Sequence, residues 1–79
     1  MPFIFRYKEF TIRFWYSSEE RRRHVHAVSA EANIKIWLEP EVAIASVKGN
    51  VNPSVVNEIL QEVKRNEQLC KDAWDAYLG

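Results

Sequence analysis

The chain predicts an α+β fold: an antiparallel sheet of four to five strands, covered on one face by a long C-terminal helix. Three observations lead there. Apolar side chains alternate with other residues at period two through residues 3–16 and 32–38, the pattern of half-buried strands. Asn52-Pro53 then has the form of a helix start, with Asn as N-cap and Pro at the first helical position, where its missing N–H costs nothing. Beyond it, Val56, Ile59, Leu60, Val63, Cys70, Ala73, Trp74 and Tyr77 recur at the spacing of three, four and seven expected of one buried helix face.

Taken in order, Phe3, Phe5 and Tyr7 point one way, and Ile12, Phe14 and Tyr16 repeat the pattern after a turn near Lys8-Glu9-Phe10, which reads as a β-hairpin. That turn lacks the Asn-Gly signal that would fix its register. Residues 17–23 form a polar, charged loop, and a third strand covers residues 24–29. In the fourth, Ala32, Ile34, Ile36 and Leu38 share one side and Asn33, Lys35 and Trp37 the other, until Pro40 ends it. Residues 41–47 add a short fifth strand before Lys48-Gly49-Asn50 turns the chain. The strands thus lie within residues 3–47 and the helix covers about 53–78, interrupted in its apolar stripe by Asn66-Glu67-Gln68.

That helix is long for the sheet it must cover. About 26 helical residues extend about 39 Å, whereas strands of six to eight residues span only about 20 to 27 Å. One sheet cannot cover it. Either the helix bends or restarts near Asn66, or its last turns overhang and present Leu69, Trp74, Tyr77 and Leu78 as an interface for a second copy or a cognate protein.

The bulk numbers narrow the class. A chain of 79 residues is read as one domain, residues 1–79, and a domain of this size buries only about 60% of the surface its unfolded chain exposes. Its 47% hydrophobic and 13% aromatic content is that of a packed protein rather than a disordered tail. Net charge is zero, but residues 1–30 hold six basic and three acidic groups and residues 31–79 five and eight. The halves are therefore about +3 and −3, which argues for a local basic patch rather than a generic polycation. Cys70 is the single cysteine, so neither an intramolecular disulfide nor a multi-cysteine zinc site is open to the chain. No secretory signal and no run of about 20 apolar residues occurs; a cytoplasmic protein with no membrane partner and no cofactor is expected.

Within that frame His24-Val25-His26, straight after Arg21-Arg22-Arg23, places both histidines of the chain two residues apart, on one face of a strand. With one sheet face on the helix, the opposite face carries Arg6, Lys8, Arg13, Trp15, Lys35 and Trp37, joined by Arg23 and the two imidazoles: cations interleaved with rings, as in single-strand nucleic-acid binders. The same pattern also suits a cross-strand Trp15–Trp37 pair under Arg and Lys stems, which would only stabilise the sheet. His24 and His26 as a catalytic acid–base pair would make a metal-independent ribonuclease, with Arg23, Tyr16 or Glu20 as a further participant. As metal ligands the pair is incomplete, lacking a third histidine, so no metal is expected unless Glu20 or Glu31 is brought in. Ordinary surface or hydrogen-bonded histidines are the plain alternative. Cys70, on the apolar stripe, reads as buried filler.

Phe14-Trp15-Tyr16-Ser17, His24-Val25-His26, Ile36-Trp37-Leu38-Glu39-Pro40 and the ending Leu69 with Ala73-Trp74-Asp75-Ala76-Tyr77 resemble a family of short bacterial proteins of unknown function, over nearly the whole chain. Those proteins have a central His-Val-His, a Trp-Leu strand and a terminal helix closing in tryptophan and an aromatic. Carried over by position, His24, Val25, His26 and Trp37 are the characteristic residues. The chain departs where Arg22-Arg23 replaces the usual prolines and where Asn50-Val51-Asn52 makes the turn one residue longer. Members are often encoded beside another short protein in toxin–antitoxin-like pairs, so the resemblance implies a cognate protein partner from a neighbouring gene. The expected function is a component of such a pair that binds this partner and RNA; the alternatives are the ribonuclease and a non-catalytic accessory binding module.

Overall fold

The computed structural model describes residues 3–14 and 21–78. Five strands, β1 (Phe3–Tyr7), β2 (Phe10–Arg13), β3 (His24–Val28), β4 (Ala32–Trp37) and β5 (Ala43–Gly49), precede two helices, α1 (Pro53–Arg65) and α2 (Glu67–Leu78). The strands lie in sequence order and each neighbouring pair is antiparallel, so the sheet is a meander and the fold is α+β as expected.

The first hairpin closes through Lys8 and Glu9, with Tyr7 opposite Phe10 and Lys8 in the left-handed region at φ 54°. β5 starts and ends two residues later than expected. Lys48 and Gly49 belong to the strand rather than to a turn, opposite Asn33 and Ala32. Gly49 is required there: its φ is 93°, and a Cβ would fall 2.1 Å from the Glu31 carbonyl oxygen. Lys35 faces Ser46 while Ile36 faces Ile44, leaving Ala45 as the extra residue of a bulge.

Alternation decides what is buried. Ile12, Ala27, Ile34 and Ile36 face the core with Phe10, Phe14, Val25, Ala32 and Leu38, and Ile59 and Val63 of α1 and Cys70 and Trp74 of α2 close over them. Each removes apolar surface from water at about 25 cal/mol per Å², the main force holding so small a molecule together.

The single long helix of the sequence reading is two helices. Asn66, at φ −109° and ψ 25°, leaves the helical conformation; its N–H donates to Glu62 and Val63 carbonyls, and its side-chain Nδ2 donates to the same Glu62 carbonyl at 2.9 Å. An amide side chain competing for backbone acceptors in this way is what a mid-helix asparagine does to a ladder. At 1.5 Å per residue the 13- and 12-residue pieces are about 20 and 18 Å long, each short enough for the sheet to cover. Of the two alternatives, the structure has the restart near Asn66, which resolves the length mismatch. Neither helix is long and apolar enough to cross a membrane.

Polar clasps fix the two pieces. Glu58 of α1 accepts from Tyr7 Oη at 3.0 Å and pairs with Lys8 Nζ at 2.6 Å, tying it to the first hairpin. At the other end Arg23 grips Asp75 of α2, its Nη2 2.7 and 2.6 Å from the two carboxylate oxygens and its Nε 3.1 Å from Oδ1.

Candidate nucleic-acid interface

Strand pairing turns the sheet face opposite core-facing Ile12, Ile34 and Ile36 into a grid. One transverse row runs Arg6, Thr11, Val28, Asn33, Lys48 across all five strands; the next runs Arg13, His26, Lys35, Ser46; the third holds His24, Trp37 and Ala43. Rows are two residues apart, about 6.7 Å, and strands about 4.8 Å apart. None of the five strands contains an Asp or Glu. Their four Lys and Arg residues, Arg6, Arg13, Lys35 and Lys48, all fall on this face, whereas helices and turns hold the acids of the described residues.

The two imidazoles differ. His26 is half-buried, and its Nδ1–H donates to Asn33 Oδ1 at 2.9 Å. Burial, and then the charges of His24, Lys35 and Lys48, hold its pKa below the ordinary value against the opposing pull of Asn33. His24 is only 2% exposed. Its Nδ1–H donates to the Arg22 carbonyl at 2.7 Å, since a carbonyl can only accept, and its ring centroid lies 5.4 Å from His26, 5.8 Å from Trp37 and 5.0 Å from Trp74 of α2. The sequence expectation that both rings stand out from the open face therefore describes His26; His24 lies where α2 closes the end of the sheet.

Trp74 reaches that end because Phe14, the residue after β2, packs edge-on against it at 5.7 Å and stacks on Tyr77 at 5.8 Å. Trp74 is thus inside the molecule rather than on an overhang, while Leu69 and Tyr77 stay about half exposed. The side chain of Leu78 and all of Trp15, Tyr16 and Glu20 lie outside the described residues.

Of the basic candidates, Arg23 is drawn away from the face: besides Asp75 it has Glu39, whose Oε2 accepts its backbone N–H at 3.1 Å. Arg22 takes the place expected of it. Its guanidinium sits 4.0 Å from the centre of the Trp37 ring, with Lys35 Nζ at 4.5 Å, and its Nε donates to the Glu39 carbonyl at 2.7 Å. Arg22, Asn33 and Lys48 are the face residues that sequence reasoning did not nominate. Asn33 shows its place by alternating with Lys35 and Trp37, and Lys48 would have been found by carrying the alternation of Ser46 through the supposed turn. Arg22 had no periodic signal. Among the described residues no group of three His, Cys, Asp or Glu converges to hold a metal, and Glu31 sits in the β3–β4 turn. Cys70 is buried, and burial pushes its thiol up to about 12, which keeps it protonated and unreactive.

A family model described as Domain of unknown function (DUF4160) matches residues 10–75, most of the chain. The chain belongs to the DUF4160 family. The matched region spans the histidine pair, Trp37 and the Arg23–Asp75 clasp; β1 and the last turn of α2 lie outside it. DUF4160 is a family of unknown function, so membership carries no activity to these residues. No curated protein and no solved structure matches the chain.

Proposed function

We propose that this DUF4160 protein binds single-stranded RNA on the open face of its sheet, as one component of a toxin–antitoxin-like pair. One observation carries the reading: strands without a single carboxylate display Arg6, Arg13, His26, Lys35 and Lys48 on the face away from the helices, in a molecule whose net charge is zero. Segregation of this kind concentrates positive potential where a phosphodiester backbone can lie, and each neutralised phosphate releases counterions. A sheet face suits a single strand, whose unstacked bases can meet the edges of Trp37 and His26; a duplex would require a groove-shaped complement. Trp37 adds position as well as surface, since its ring holds Arg22 and Lys35 beside one another.

The geometry favours binding over cleavage. A general base and a general acid must reach opposite sides of the scissile phosphate, whereas His24 and His26 stand side by side on one strand, 5.4 Å apart, with His24 buried against Trp74. The cognate protein rests on the family resemblance; half-exposed Leu69 and Tyr77, on α2 and apart from the RNA face, are the surface it would use.

Titrating a short oligouridylate against wild type and a Lys35→Glu/Lys48→Glu pair tests the RNA reading. The expected result is binding that weakens with salt, with a slope shallower by about 0.7 for each phosphate that the variant no longer neutralises. Binding that ignores both salt and the charge reversal would refute it.

A further inference from the structure

His26 occupies the centre of the cationic row. Arg13 of β2 is its cross-strand neighbour on one side and Lys35 of β4 on the other, with Lys48 of β5 close enough to act on it electrostatically; His24 lies along its own strand, and Asn33 holds its ring. The neutral imidazole therefore fills a gap in a line of permanent charges. A phosphodiester laid along Arg13, His26 and Lys35 would meet two cations and, between them, a basic ring.

We propose that the open face takes up its RNA together with one proton, bound at His26. This rests on the RNA-binding reading and adds to it how that site is regulated. Proton and phosphate are linked: without ligand, partial burial and the surrounding cations disfavour a charged ring, whereas a bound phosphate in the same row favours it, so the two bind cooperatively and reciprocally. Asn33 allows both states. Its Oδ1 accepts the Nδ1–H of the neutral and of the charged ring alike, so the ring takes a proton on Nε2 without giving up its anchor. The proton comes from solvent and returns there on release; no covalent bond changes. The consequence is a site whose hold on RNA tightens as the surroundings acidify, through a side chain of the kind that titrates near neutrality.

Oligouridylate is the suitable probe, because uracil carries no group that titrates in this range. Wild type and His26→Gln are titrated at about pH 5.5 and about pH 7.5. Wild-type affinity is expected to rise on acidification, by at most about tenfold per pH unit for one linked proton, with a salt slope steeper by about 0.7 at the lower pH. His26→Gln should bind with the same affinity at both pH values, whatever that affinity is. Calorimetry of the wild type in two buffers of different ionisation enthalpy measures the same proton directly and needs no variant: uptake above zero and not above one supports the proposal. Equal wild-type affinity at both pH values with no proton uptake overturns it while leaving the RNA reading intact. No binding at either pH overturns both.

Discussion

At the scale of single residues, burial sets the chemistry more than residue type does. His24 and His26 are two positions apart and identical in kind, yet one is sealed against Trp74 and the other meets the open row. His26 gives the sharpest expectation. Its folded pKa lies below the ordinary value of 6.5, so between those two values the unfolded chain binds more protons, and acidification favours unfolding. The urea midpoint should therefore fall as pH drops below about 6.5, and the fall should shrink in His26→Gln. Glu58, held below the usual carboxylate range by Lys8 and Tyr7, loses its contribution only at lower pH, beneath the ordinary value of 4.5. A midpoint that rises on acidification through the first window would contradict the placement of His26. Cys70 offers a simpler check: a thiol-specific reagent near neutral pH should leave it unmodified in the native protein and label it fully in denaturant.

At the scale of elements, the sheet was largely legible and the helical half less so. Alternation identifies core-facing Ile12, Ile34 and Ile36 and the outward Asn33, Lys35 and Trp37 because a strand has a period of two and no other constraint. The end of β5 was hidden because Lys48-Gly49-Asn50 has turn composition, although Gly49 is there for its left-handed backbone beside Glu31. Asn66 was visible as an interruption, but whether a side chain bends, breaks or merely decorates a helix depends on which carbonyl it finds. Least visible was the Arg23–Asp75 clasp, joining residues 52 positions apart. Being largely solvent-screened, it should contribute little, so Asp75→Ala should lower the denaturation midpoint only slightly. Trp74→Ala, which empties the space between Phe14 and His24, should cost about 3 to 5 kcal/mol. Denaturation midpoints rank the two; an Asp75 variant as damaged as the Trp74 variant would mean that the ion pair, not the ring, fixes α2.

At the scale of the whole molecule, zero net charge conceals a division between acid-free strands and helices that carry Glu58, Glu62, Glu67, Asp72 and Asp75. Sequence halves of about +3 and −3 hinted at it, but the division became a surface only when pairing set Arg6 and Lys48 in one row and Arg13 and Lys35 in the next. Part of the expected site did not assemble on that surface, since Arg23 turned to Asp75 and Glu39, and Arg22 came over Trp37 instead. Those exchanges depend on loop geometry, which no periodicity encodes. Mapping amide and side-chain NMR shifts during an oligouridylate titration at low salt locates RNA on the molecule residue by residue. Perturbations concentrated on Arg13, His26, Lys35, Trp37 and Lys48, with α1 silent, are the predicted result; perturbations confined to the helices, or none at concentrations where weak single-strand binders saturate, would contradict it.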